Sequence, residues 1–285
     1  MTFKEKLRKA AEKNNSLLCV GLDTDLNKIP EHIKTDPNPL FVFNKAIIEA
    51  TNQSVSCYKP NSAFYEAYGA EGIGQLKLTM DYLKEKYPDI PVILDAKRGD
   101  IGNTNEGYIK YAYDYLGVDA ITLHPYLGKE AIKPFLDRKD QCPIILCKTS
   151  NPGAGELQDL VPDPGDQSIK LYQLVAEKVV KEWNYNGNCG LVVGATYPEE
   201  LSVVRGIAKD LPLLLPGIGA QGGDVEKTVK AGVDAEGFNA IINSGRNIIY
   251  ASSDLNFSIK AGEVALETQN LINIYRENII KKLNN

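Results

Sequence analysis

Asp95, Lys97 and Asp100 fall in one short stretch, Asp95-Ala96-Lys97-Arg98-Gly99-Asp100-Ile101-Gly102-Asn103-Thr104. The apolar run before it, Pro91-Val92-Ile93-Leu94, opens with a proline and is too short for a helix. It reads as a buried strand whose end turns charged. Residues two apart on a strand share a face, so Asp95 and Lys97 point the same way and Ala96 points back. An anion and a cation pushed together at the end of a buried strand are costly unless they pair or a site uses them. Such a pair suits chemistry done with fixed charge. Gly99 lets the chain bend before Asp100.

Further polar groups fall at the ends of other apolar runs: Asp23 after Leu17-Leu18-Cys19-Val20-Gly21-Leu22, Lys59 at the end of Val55-Ser56-Cys57-Tyr58, and Thr149-Ser150 after Ile144-Ile145-Leu146-Cys147-Lys148. A lone Asp or Lys at such a place reads as a surface ion pair. Their joint occurrence at strand carboxyl ends reads as a site. A second constellation is rich in glycine: Pro216-Gly217-Ile218-Gly219-Ala220-Gln221-Gly222-Gly223-Asp224, and later Asn243-Ser244-Gly245-Arg246. Glycine turns expose backbone N–H groups and an arginine adds planar, bidentate donors, so these two stretches point to a phosphorylated ligand.

The elements that must position these groups alternate along the chain. Apolar runs at 17–22, 55–60, 91–97, 120–123, 144–148, 190–194, 213–215 and 237–242 read as eight strands. Helical patterns are read at 3–14, 40–51, 75–87, 105–116, 169–183, 199–209 and 263–282. The chain of 285 residues then reads as one (β/α)₈ barrel, an α/β TIM barrel spanning residues 1–285. In an open doubly wound sheet, the alternative, the glycine-rich loop follows the first strand; here the glycines follow the seventh and eighth.

A hydrophobic fraction of 43% and a charged fraction of 24% describe a soluble globular chain, and the net charge of −5 gives no support for a nucleic-acid partner. The charged amino terminus does not resemble a signal peptide, and no apolar run is long enough to cross a membrane. Five dispersed cysteines (19, 57, 142, 147 and 189) read as reduced core residues of a cytoplasmic protein. With only His32 and His124, a structural zinc site is not expected. His124 beside Pro125 reads as structural, Tyr108, Tyr111, Tyr113 and Tyr115 as packing residues, and the long 150–166 connection as a candidate lid.

The run Asp95-x-Lys97-x-x-Asp100, with Lys59 before it and Gln221 and Gly245-Arg246 after it, closely resembles the orotidine 5′-phosphate decarboxylase family. The resemblance extends from Gly21-Leu22-Asp23 to Gly245-Arg246. Tyr58-Lys59-Pro60-Asn61-x-x-Phe64 and Thr149-Ser150-Asn151-Pro152-Gly153 are similar to its divergent bacterial branch. The shorter motif is shared with magnesium-dependent sugar-phosphate decarboxylases and aldolases, whereas its extension through Asp100-Ile101-Gly102-Asn103-Thr104 is more specific. The resemblance implies decarboxylation of orotidine 5′-phosphate to uridine 5′-phosphate without metal or organic cofactor. It implies Lys59, Asp95, Lys97 and Asp100 as a catalytic charge network. It further implies Asp23 on the ribose, Ser150 on the pyrimidine, and Gln221, Gly245 and Arg246 on the phosphate. Asp100, Ile101 and Thr104 would reach into the neighbouring subunit's site, which implies a homodimer with shared sites. A non-catalytic nucleotide-binding barrel is the remaining alternative.

Overall fold

The structure, a computed structural model, describes residues 1–162, 168–218 and 223–283, the last three by their backbone alone. Eight strands alternate with helices: β1 (Leu18–Gly21), β2 (Cys57–Lys59), β3 (Ile93–Arg98), β4 (Ala120–Leu123), β5 (Cys142–Lys148), β6 (Gly190–Val193), β7 (Leu213–Pro216) and β8 (Ala240–Ser244). All pairings are parallel, in the order β2-β1-β8-β7-β6-β5-β4-β3. The ring closes between β2 and β3, where Tyr58 pairs with Val92 and Asn61 with Asp95. This is the (β/α)₈ barrel the alternation calls for.

The two-residue period of each strand sorts its side chains. Cys19, Cys57, Ile93, Ala120, Cys142, Ile144, Val192, Leu214 and Ile241 form a buried cluster that fills the barrel interior. Alternate residues, among them Val20, Tyr58, Leu94, Ile121 and Ile145, pack against the surrounding helices. The helix Phe3–Lys13 closes the amino-terminal end. Its Phe3 and Leu7 join the interior cluster, and a capping box fixes its start: the Thr2 hydroxyl accepts from Glu5 N at 3.3 Å and Glu5 Oε2 accepts from Thr2 N at 2.9 Å.

Moving two residues along the strands from this apolar floor changes the chemistry. Cys57 gives way to Lys59, Ile93 to Asp95, Ala120 to Thr122, Leu214 to Pro216 and Ile241 to Asn243, and each of these second residues lines a cavity at the carboxyl ends of the strands. The site is the layer above the core, which is where this architecture places it.

The structure corrects several element readings. β8 runs Ala240–Ser244 rather than 237–242, so Asn243 and Ser244 belong to the strand and only Gly245 begins the turn. The shift has a local cause. The Asp234 carboxylate accepts from Glu236 N (2.9 Å), Phe238 N (2.8 Å) and Asn239 Nδ2 (2.6 Å), winding 234–239 into a turn with left-handed Gly237 and Asn239. Helices at Gly128–Leu136 and Val225–Gly232 were absent from the sequence pattern. The first holds Pro134, and the second is only eight residues long and follows directly on the glycine-rich stretch. The helix expected at 75–87 begins earlier, at Gly69. Of the tyrosines between 108 and 115, Tyr113 is buried against Phe135 and Tyr108 and Tyr111 pack on the core, whereas Tyr115 stacks on Tyr111 but is exposed.

Candidate active site

The cavity at the strand carboxyl ends has a volume of about 520 Å³. A second, of about 480 Å³, lies at the other end of the barrel beside the helix Phe3–Lys13. Arg8, Glu12 and Lys4 on its wall make exposed ion pairs with one another or with Glu236 and Asp210, the ordinary state of a charged surface. The first cavity differs because its charged groups converge around one enclosed lysine, Lys59.

At its centre Asp95 bridges two lysines. Asp95 Oδ2 accepts from Lys59 Nζ at 3.0 Å and Asp95 Oδ1 from Lys97 Nζ at 2.6 Å. Lys59 is almost fully enclosed, with 4% of its side chain exposed, whereas half of the Lys97 side chain stays open to the cavity. Asp23 lies beyond Lys59, its Oδ1 3.9 Å from Nζ. That oxygen is buried with no hydrogen-bond donor of its own among the described residues. Burial alone would raise the Asp95 carboxyl, but the ammonium groups of Lys59 and Lys97 outweigh it and hold the carboxyl well below the usual carboxylate range. Burial likewise disfavours a charged Lys59, yet Asp95 and Asp23 reverse the effect and push its ammonium above the usual lysine value.

Asp95 and Lys97 do meet, though not through regular strand alternation. The β3–β4 register shifts between Leu94 and Arg98, and Lys97 takes a left-handed backbone, φ +48°. For a non-glycine residue this conformation costs roughly 1–3 kcal/mol and needs support from its surroundings. Thr122 on β4 gives that support. Its Oγ1 accepts from Ala96 N at 3.0 Å and Lys97 N at 2.9 Å, and donates to Asp95 Oδ1 at 2.9 Å. One hydroxyl thus satisfies two N–H groups freed by the bulge and fixes the carboxylate between the lysines. Sequence reasoning passed over Thr122, although it is the single polar residue of Ala120–Leu123 and lies two residues past the core residue Ala120.

Past Lys97 the chain leaves the cavity. Gly99 has φ +147°, and a Cβ there would come within 2.9 Å of His124 Nε2; that nitrogen is 2.8 Å from Gly99 O. His124 thus anchors the turn at Gly99 and does not line the cavity. Asp100 Oδ1 accepts from Ile101 N at 2.7 Å, and Asn105 Oδ1 accepts from Asp100 N at 2.9 Å. Asp100, Ile101 and Thr104 do not line this chain's own cavity, and Ile101 and Thr104 project into solvent, with Ile101 61% exposed.

The remaining wall comes from β5, β7 and β8. Thr149, Ser150, Asn151 and Gln158 line one side; Gln158 is an addition that no sequence pattern marked, because its position depends on how the connection after β5 folds. The carboxyl ends of β7 and β8 add Gly217, Ile218, Gly245 and Arg246. Gly217 has φ +112°, and Gly223 N donates to Gly217 O at 3.0 Å, drawing the ends of the glycine-rich stretch together. Gln221 lies outside the described residues. Arg246 is exposed and lines the cavity. Asp23, at the β1 end, is fixed through its backbone, its carbonyl accepting from Tyr250 Oη at 2.9 Å.

With this geometry in place, comparison with known proteins is direct. Residues 16–258 match the model of the family described as Orotidine 5′-phosphate decarboxylase / HUMPS. An orotidine 5′-phosphate decarboxylase of Dechloromonas aromatica is 50% identical over 97% of this chain and 100% of its own. One of Janthinobacterium sp. is 48% identical over 96% of this chain and 99% of its own. The solved structure of Leishmania donovani OMP decarboxylase superposes with a TM-score of 0.83 at 39% identity, covering 97% of this chain and 100% of that one. The chain belongs to the orotidine 5′-phosphate decarboxylase / HUMPS family.

Proposed function

We propose that this chain decarboxylates orotidine 5′-phosphate to uridine 5′-phosphate and carbon dioxide, with Lys59, Asp95, Lys97 and Asp100 as its charge network. The observation that carries the reading is the bridging of Lys59 and Lys97 by one largely enclosed aspartate at the centre of the cavity. Loss of CO₂ breaks the bond from C6 of the ring and leaves its electron pair in the ring plane, where the π system cannot delocalise it. A fixed ammonium answers that need. Lys97 stabilises the developing carbanion and donates its proton to C6, and the neutral amine then recovers a proton from water. Asp95 faces the departing carboxylate while holding Lys97 in place. Each charged contact supplies about 3–4 kcal/mol, whereas the most demanding enzymatic accelerations require roughly 20 kcal/mol. Binding energy from the distant phosphate makes up part of the difference by ordering the site around the ring.

Substrate placement follows the walls. Arg246, with the backbone of Gly245 and with Gln221, takes the phosphate; Asp23, whose Oδ1 lacks a donor among the described residues, takes ribose hydroxyls; Ser150 takes the pyrimidine. Asp100, Ile101 and Thr104 complete the site of a second copy, which the exposure of Ile101 and Thr104 in the single chain favours. The working form is then a homodimer. All five cysteines are free and buried, in keeping with a cytoplasmic setting. No helix among the described residues is long and apolar enough to cross a membrane.

Absorbance-monitored turnover of orotidine 5′-phosphate, with and without chelator, tests the activity. Turnover that survives chelation supports a metal-independent reaction. Turnover lost to chelation and restored by magnesium points to the metal-dependent relatives, and no turnover overturns the reading. For the shared site, mixing inactive Lys97→Ala and Asp100→Ala chains should restore about a quarter of wild-type activity, since half the dimers are hybrids with one intact site each. No recovery after verified subunit exchange would count against it.

A further inference from the structure

Lys148 ends β5, yet it contributes nothing to the cavity wall. The β5–β6 register shifts between Leu146 and Lys148, so Leu146 faces the cavity while Lys148 turns away. Its side chain is 1% exposed. The ammonium meets Asp159 Oδ2 at 2.8 Å and lies 4.9 Å from the Tyr197 ring centre and 5.7 Å from that of Tyr172. Asp159 sits eleven residues further along, past two short helical turns at Pro152–Ala154 and Gly155–Gln158. The neighbours of this pair are bonded to each other as well: Gln158 Oε1 accepts from Thr149 N at 2.9 Å, and Gln158 Nε2 donates to Thr149 Oγ1 at 2.8 Å. The loop is therefore fastened twice at its base. Within it, Thr149 Oγ1 donates to Asn151 Oδ1 at 2.7 Å. Ser150 is packed so closely on the end of β6 that a Cβ on Gly194 would come within 2.8 Å of it. Thr149, Ser150, Asn151 and Gln158 are the residues of this segment that face the cavity.

We propose that Lys148 is a positioning residue: its ion pair with Asp159, enclosed at the lysine end and partly exposed at the carboxylate, latches the loop 149–159 so that Ser150 and Asn151 present a fixed wall to the pyrimidine ring. The choice of ring as the affected part of the ligand rests on the functional reading above. A buried ion pair adds little stability over well-packed apolar side chains, so stability is a weak reason to place an ammonium here. Holding one loop geometry out of many is the stronger reason, because the wall must keep its shape before the ligand arrives. Asp159 also meets Lys170 at 3.4 Å, so it keeps a cation when Lys148 is neutralised. This makes Lys148→Met the variant suited to a test, and Asp159→Asn, which strands the buried ammonium, the harsher one.

Two measurements on the full-length protein decide the matter. Hydrogen exchange of peptides covering 149–160 should accelerate in Lys148→Met while the strands and the β8 turn keep wild-type protection. Affinity for uridine 5′-phosphate should fall about tenfold while that for ribose 5-phosphate, which lacks the ring, stays within about twofold. Lys148→Arg, which keeps the charge, should restore most of both. Unchanged loop exchange overturns the latch. So does an equal loss of affinity for both ligands, which would mean general loosening. The exchange experiment requires no turnover, so a failure of the decarboxylase reading and a failure of the latch remain distinguishable.

Discussion

The two halves of the cavity are prepared in opposite ways. On the β2–β4 arc every charged group is already answered: Lys59 and Lys97 by Asp95, and Asp95 by both lysines and the Thr122 hydroxyl. Across the barrel, on the β7–β8 arc, Arg246 is exposed and has no side-chain partner among the described residues, and Gly217 and Gly245 offer only backbone. The first arc has its electrostatics fixed during folding and needs no rearrangement when charge develops. The second keeps donors open, so an arriving anion adds favourable contacts without breaking existing ones. A reaction driven by preset charge and a binding step driven by a remote group call for this division.

The largest effect expected to follow from that contrast is on the chemical step. Lys97→Ala should lower kcat by roughly 10⁴-fold or more, since on the proposed mechanism it removes both a stabilising charge and the proton donor, while uridine 5′-phosphate still binds measurably by calorimetry. A near-normal kcat would remove Lys97 from the centre of the chemistry.

Next in size is the stability of the charged arc. Asp95→Asn leaves the enclosed Lys59 without its nearest carboxylate, a loss of about 3 kcal/mol at neutral pH. The sign of its pH dependence follows from the direction of the shift. The folded-state pKa of Asp95 is depressed below the ordinary value, so its contribution is present above that ordinary value and lost as pH falls through the folded one. Lys59, whose pKa is raised, contributes below the ordinary lysine value and loses its share only in strong alkali. The melting-temperature gap between wild type and Asp95→Asn should therefore hold steady from about pH 6 to 9 and narrow below about pH 4. A gap unchanged down to pH about 3 would show that the lysines do not depress the carboxyl.

The open arc should respond in binding instead. Arg246→Ala is expected to raise KM for orotidine 5′-phosphate about 100-fold, with a smaller fall in kcat. The stability of the free protein should hardly change, since the arginine holds no side-chain partner among the described residues. An unchanged KM would move the phosphate elsewhere, and a large drop in melting temperature would erase the contrast between the arcs.

How much of this could be read from the chain depends on which forces place each residue. Lys59 and Asp95 were legible because they follow Cys57 and Ile93 by two, and strand parity carries a buried floor into a polar layer without further information. The strand count was legible for the same reason. Gln158 was not, because it reaches the cavity only after two helical turns and an ion pair fold the connection back on itself. The start of β8 was missed because the Asp234 turn is built from side-chain-to-backbone bonds, which leave no apolar pattern. The juxtaposition of Asp95 and Lys97 was read correctly on an incomplete argument: alternation suggested it, and a bulge with a left-handed Lys97 achieves it.

That bulge gives the subtlest expectation, and it bears on what preset means for the charged arc. Thr122→Val preserves shape and β-branching at a buried position but deletes the hydroxyl that receives Ala96 N and Lys97 N and donates to Asp95. Two N–H groups lose their acceptor, and the left-handed backbone of Lys97 loses the contact that compensates its strain. The ion pairs survive, since Lys59 and Lys97 still face Asp95. If their mutual attraction alone fixed the geometry, kcat would be close to wild type. If the hydroxyl holds the lysine in register with the reacting carbon, kcat should fall about tenfold with KM nearly constant, because a misplaced proton donor weakens the transition state more than the bound substrate. Thr122→Ser, which retains the oxygen, should recover most of the rate. Failure of serine to recover it would assign the loss to packing by the methyl group and leave the ion pairs as the whole of the preset arc.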